Sequence, residues 1–174
     1  MAAKKNNKSG GMIATGLVAQ NRRARHDYTI EDSMEVGLVL TGSEVKSMRL
    51  GRGSINEAYA GERGGEVWLM NSHIPEYEGA KNFGHAPRRD RKLLLHRRQI
   101  ERLIGAVRRE GATLVPLRLY FNDRGRAKLE VGLAKGKRQI DKRQDQEEES
   151  FELSQRQLEK KNIQEGVDAT VAKR

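Results

Sequence analysis

The chain has 174 residues, 36% of them hydrophobic and 33% charged, with a formal net charge of +10 and no cysteine. That is material for one modest core plus tails, and the missing cysteines exclude disulfides and thiolate-bound zinc. So large a positive surplus points to a polyanionic partner, because binding one releases its condensed counterions.

In chain order, MAAKKNNKSGG has almost nothing to bury, so residues 1–13 are expected to form a disordered basic N-terminus. The apolar run MIATGLVA is too short for a signal-peptide core, and no run of 18 apolar residues follows. A cytoplasmic protein without membrane contact is therefore expected. From ARHDYTI the pattern has period two, with His26, Tyr28 and Ile30 against Asp27, Thr29 and Glu31. A second strand-like run places Val36, Leu38 and Leu40 opposite Gly37, Val39 and Thr41. The charged stretch TGSEVKSMRLGR then reads as a short helix. Thr41 and Glu44 make a capping-box pattern, Gly51 is placed to end it, Val45 and Met48 point inward, and Lys46, Arg49 and Arg52 point outward.

SINEAYA and EVWLMNSHI are further strand candidates, separated by the turn-rich GERGG. HRRQIERLIGAVRREG predicts a longer helix with Ile100, Leu103, Ile104 and Val107 on one stripe. Arg108 and Arg109 lie in its last turn and Gly111 stops it. The stretch TLVPLRLYFNDRGRAKLEVGLAK predicts a hairpin with Gly125 in its turn, and Pro116 suggests that its first strand lies at an edge. Five or six short strands with tight turns argue for a small closed barrel or sandwich.

Catalysis finds little support. The four histidines, His26, His73, His85 and His96, are too far apart in sequence for a helical metal pair, so no metal or cofactor is expected. GLAKGKR is one spacer short of a phosphate loop, and Arg138 stands where its Ser or Thr belongs. Glu31, Asp32 and Glu35 read as a hydrated acidic edge. Cations, by contrast, recur in every segment: Arg22, Arg23 and Arg25; Lys46, Arg49 and Arg52; PRRDRK at 87–92; Lys135, Lys137 and Arg138. On the hairpin, Arg118, Tyr120 and Lys128 share the polar face, interleaving an aromatic ring with cations as RNA recognition requires. Residues 1–144 carry +13 and residues 145–174 carry −3, so a basic body ends in a tail of opposite sign.

Five motifs, NRRARHDY, EVGLVLTGSEVKSMRLGR, RKLLL, GATLVPLRLYF and LAKGKRQIDKR, closely resemble the SmpB family, the SsrA-binding proteins of bacteria, over residues 14–143. The resemblance implies a mainly β fold: an OB-like antiparallel barrel over 14–134, with two to three flanking helices. It also implies a C-terminal tail over 135–174 that is disordered when free and helix-prone when bound. It implies a monomeric RNA-binding protein of trans-translation, without cofactor or catalysis. Its partners would be the tRNA-like domain of transfer-messenger RNA (tmRNA) and the 70S ribosome, with the tail in the empty mRNA channel.

The family's RNA-contacting positions correspond to Asn21, Arg22, Arg23, Glu35, Leu94 and Lys128, to which the outward basic face adds Lys46 and Arg49. Leu94 belongs first to a run that reads as buried. Lys135, Lys137, Arg138, Asp141, Lys142 and Arg143 correspond to the segment leading to the decoding site. Phe151 stands at the family's usual tryptophan, with Leu158 placed to share its helical face. The tail departs from the family in its charge: Glu147, Glu148 and Glu149 stand where Lys and Arg are usual. The alternative readings are a general OB-fold ribosomal module and a small RNA enzyme, for which no catalytic residue presents itself.

Overall fold

The 11 residues Tyr28–Leu38 form one long strand, because their alternation of exposed and half-buried side chains continues unbroken into the buried Val36 and Leu38. This computed structural model describes residues 12–80, 84–137 and 150–159; residues 1–11 of the N-terminus expected to be disordered over 1–13 lie outside them, while Ile13 packs against the core and donates its N–H to the Arg49 carbonyl. The elements are β1 (Gly16–Gln20), α1 (Ala24–Asp27), β2 (Tyr28–Leu38), α2 (Gly42–Arg49), β3 (Tyr59–Arg63), β4 (Glu66–Met70), β5 (Arg91–Leu94), α3 (Arg97–Glu110), β6 (Thr113–Phe121) and β7 (Ala127–Gly136).

Two segments differ from the sequence reading. ARHD is one helical turn instead of the start of a strand, because the Asn21 side-chain oxygen accepts the Ala24 N–H at its beginning. SINEAYA becomes strand only from Tyr59, and Gly61 lies within β3. The turn is Gly64–Gly65, both with positive φ, as a two-residue hairpin of the primed type demands.

The strands pair in the order β1-β6-β3-β4-β5-β2-β7, and a further β6–β7 pairing closes six of them into an antiparallel, OB-like barrel with β1 added on β6. Pro116 is therefore not at an edge. β3 meets β6 at Leu114 and β1 meets it from Arg118 to Phe121, so Pro116 falls in the gap where one neighbour gives way to the next. A residue without an N–H costs least at such a gap.

Val36, Met48, Ile55, Val67, Leu69, Ile74, Leu93, Leu119, Phe121 and Leu129 form the heart of one core and are essentially inaccessible. Met48 reaches it from α2, Ile100, Leu103 and Ala106 from α3. The buried stripe of α3 thus runs through Ala106, and the anticipated Val107 is 37% exposed. A smaller cluster, Ala24, Val115, Leu117 and Ala134, lies under α1 and explains why β6 is buried on both faces at its centre.

The capping box of α2 is formed in both directions between Thr41 and Glu44. Glu44 itself is not a surface charge. It is fully buried and accepts from Arg89 Nη2 at 2.7 Å, from Arg91 Nε at 3.0 Å and from the Thr41 N–H at 2.7 Å. Arg91 is equally buried, and its Nη1 also donates to Ser72 Oγ at 2.8 Å and to the Arg89 carbonyl at 2.7 Å. The PRRDRK stretch, read from sequence as a basic surface, thus spends Arg91 and part of Arg89 on clamping α2 to the start of β5.

The chain divides into two compact units, Met1–Gly136 and Lys137–Arg174. Within the second, residues 150–159 are helical and exposed along their length.

Candidate nucleic-acid interface

Cross-strand partners in a sheet point to the same side, so register alone assembles the outer face of the barrel. One row runs Leu94–Gly37–Lys128–Tyr120–Leu17 across β5, β2, β7, β6 and β1. The next runs Glu35–Glu130–Arg118–Gln20 across β2, β7, β6 and β1. Leu94 and Leu17 end the first row with about half their surface exposed, at 53% and 51%. Leu93, not Leu94, is the leucine that β5 sends into the core. The sequence reading of Leu94 as buried packing is therefore reversed: the strand's alternation turns it outward. Gly37 contributes no side chain between Leu94 and Lys128. The Leu94 side chain leans over Gly37, 3.3 Å from where a Cβ would stand. Beside them opens a groove of about 910 Å³, lined by Glu35, Gly37, Leu94, His96, Arg126 and Lys128 at its rim and by Leu38, Leu93 and Phe121 toward the core.

Three polar side chains converge beside this groove. The Glu35 carboxylate accepts a short hydrogen bond from the Tyr120 hydroxyl on Oε2 and lies 3.2 Å from Lys128 Nζ on Oε1. The Tyr120 bond and then Lys128 hold its carboxyl below the usual carboxylate range. Burial, and then the same bond to a carboxylate, push the Tyr120 hydroxyl up to about 12. Glu35 is ionised and Tyr120 neutral at physiological pH. Arg118 lies over the Tyr120 ring at 5.8 Å and pairs with Glu130 at 2.5 Å. The supposed acidic cluster is resolved into separate pairs, Glu31 with Lys135 at 2.8 Å and Asp32 with Arg102 at 2.6 Å beside the Glu35 group.

The other anticipated residues fall into distinct places. Asn21, Arg22 and Arg23 directly follow Gln20, the end of the second row. Arg22 and Arg23 are exposed, and Arg23 is 4.0 Å from Asp27. Asn21 is buried and its side chain starts α1. Lys46 is exposed on α2, 5.6 Å from the Tyr77 ring centre.

Arg49 does not point outward: its guanidinium donates to the carbonyls of Ile13, Ala14 and Gly125 and stacks 4.6 Å over Phe121. Its charge ties the N-terminal segment and the β6–β7 turn to α2. Lys135 is held up in pKa by its bond to Glu31. Lys137 is half-buried and begins the second unit; Arg138, Asp141, Lys142 and Arg143 lie outside the described residues. Phe151 and Leu158 are 66% and 61% exposed on their helix. Among the described residues no group of three or more His, Asp or Glu is placed to hold a metal, and no helix is long and apolar enough to cross a membrane.

Tyr120 was legible in sequence as an aromatic residue on the polar face, but its link to Glu35 was not. Gly37 and Leu17 gave no sequence signal and enter only through register.

The family model described as SmpB protein matches residues 18–162. An SsrA-binding protein of Rhodopseudomonas palustris (strain TIE-1) is 61% identical over 131 residues, 75% of this chain and 83% of the relative. One from Agrobacterium fabrum (strain C58) is 52% identical over 157 residues, 90% of this chain and 98% of the relative. A solved chain from "tmRNA-SmpB: a journey to the center of the bacterial ribosome" superposes with a TM-score of 0.59 at 46% identity, covering 72% of this chain and 86% of that one. With more than half of its length matched by the family model and full-length relatives above 50% identity, the chain belongs to the SmpB family.

Proposed function

We propose that this protein binds the tRNA-like domain of tmRNA through the outer barrel face and carries it to stalled 70S ribosomes. The observation that carries the reading is the Glu35–Tyr120–Lys128 group beside the Gly37 groove. A carboxylate fixed among donors on a basic body suits a base edge better than a phosphate, while Arg22 and Arg23 at the end of the neighbouring row suit the backbone. The names of the relatives and the RNA and ribosome of the similar solved chain agree with it. The protein contributes shape and charge, and no covalent step is assigned to it. The C-terminal segment enters the vacated mRNA channel, led by Lys137, Arg138, Lys142 and Arg143, with Phe151 and Leu158 as the apolar side of its helix.

Competition at moderate salt tests the reading. A transcript of the tRNA-like domain should displace bound RNA far better than a random transcript of equal length. Equal competition would leave only a general OB-fold module. For the tail, replacing Glu147, Glu148 and Glu149 with Lys should leave affinity for that transcript unchanged and strengthen association with stalled ribosomes; weaker association would remove the channel from the proposal.

A further inference from the structure

A carboxylate has about four lone-pair sites. On Glu35 one is taken on each oxygen, by Tyr120 on Oε2 and Lys128 on Oε1. The side chain nevertheless keeps 48% of its surface exposed, and one bond per oxygen leaves acceptor capacity on both. The two bonds fix the carboxylate plane, because one donor comes from β6 and the other from β7, on strands paired directly to each other. Gly37, two residues along the same face of β2, is covered by the Leu94 side chain, which leans to 3.3 Å from where a Cβ would stand, so an apolar surface flanks the carboxylate at the groove.

A fixed acceptor pair of this kind matches a partner that offers two parallel N–H donors on one edge. Among the four bases of RNA, only guanine does so, through N1–H and the N2 amine. Adenine and cytosine pair each amine with an acceptor nitrogen, and uracil has a single N–H.

We infer that Glu35 reads one unpaired guanine of the bound RNA through its Watson–Crick edge, and that Tyr120 is the positioning residue that holds the carboxylate in the reading orientation. The inference rests on the RNA-binding reading above and deepens it. A merely electrostatic Glu35 would discriminate no base. A positioned one rejects any analogue that leaves one of its oxygens without a donor.

The test is an inosine scan of a tRNA-like-domain transcript, replacing each unpaired guanosine in turn and so deleting only its N2 amine. For the wild type, one substitution should weaken binding on the order of tenfold, the worth of one hydrogen bond to a charged group. Glu35→Gln should bind the unmodified transcript more weakly and lose that inosine penalty. Tyr120→Phe should retain Lys128 and a folded barrel by circular dichroism, yet show a reduced penalty at the same position. If every inosine transcript binds the wild type as the unmodified one does, guanine reading is overturned while tmRNA binding stands. If Tyr120→Phe keeps the full penalty, its positioning role is overturned and the contact between Glu35 and guanine stands. If the unmodified transcript binds no better than random RNA, the underlying functional reading falls as well.

Discussion

Glu44 is a buried junction of the fold: two arginines and a backbone N–H converge on it where water cannot reach. Burial alone would raise its pKa, but Arg89, the Thr41 N–H and Arg91 outweigh that and hold it below its ordinary value of 4.5. A carboxyl depressed by folding stabilises fully above its unfolded pKa, and that contribution is lost as pH falls through the folded value. Stability should therefore decline on the acid side of pH 4.5, and Glu44→Gln should remove part of that decline. At neutral pH the same variant should lose about 3–5 kcal/mol in urea titration, because Arg91 is left buried without its counter-charge. A loss below about 1 kcal/mol would mean that water or another acceptor replaces the carboxylate. Arg49 and Arg22 illustrate the converse lesson that a cation in a basic sequence has no fixed destination. The first spends its donors on three carbonyls and an aromatic face, while the second remains exposed.

At the scale of elements, the β6–β7 hairpin depends on Gly125, whose φ of +68° no side chain adopts comfortably. A Cβ there would stand 3.5 Å from the Ala14 carbonyl and from Arg49 Nη2, which is ordinary contact, so the cost is backbone strain. Gly125→Ala should destabilise by about 1–2 kcal/mol with an unchanged denaturant slope. This hairpin, the α2 capping box and α3 up to its left-handed Gly111 were all legible in sequence, because each rests on local signals within one or two turns. What escaped was short or long-range. β1 has no alternation to display, since it pairs only with β6 and is mostly exposed. α1 is a single turn and merges with the strand pattern after it. Glu44 and Arg91 are 47 positions apart, and Glu35 and Tyr120 are 85, so neither pair leaves a local trace. The positions Glu35, Leu94 and Lys128 were reached through family resemblance. Their neighbourhood on one face follows from strand register, which no single segment encodes.

For the molecule as a whole, charge is segregated along the chain, +13 in residues 1–144 against −3 beyond. RNA affinity should fall steeply with salt, and Arg22→Ala with Arg23→Ala should reduce the log–log slope by about one to two if both meet phosphates. An unchanged slope would place these two arginines off the interface. The barrel, too, is uneven around its circumference. β2 and β7 share nine register pairs and β6 and β7 share eight, whereas β3 meets β6 through the single pair Ala60–Leu114. The β3–β4 hairpin is held by short seams on both sides, one pair to β6 and two to β5, so it can lift while β2, β6 and β7 stay zipped. Amide deuterium uptake in native buffer should accordingly sort into two tiers. The protons of Tyr59–Met70 should exchange by a partial opening, long before those of Leu129 and Val131, which wait for the entire chain to unravel.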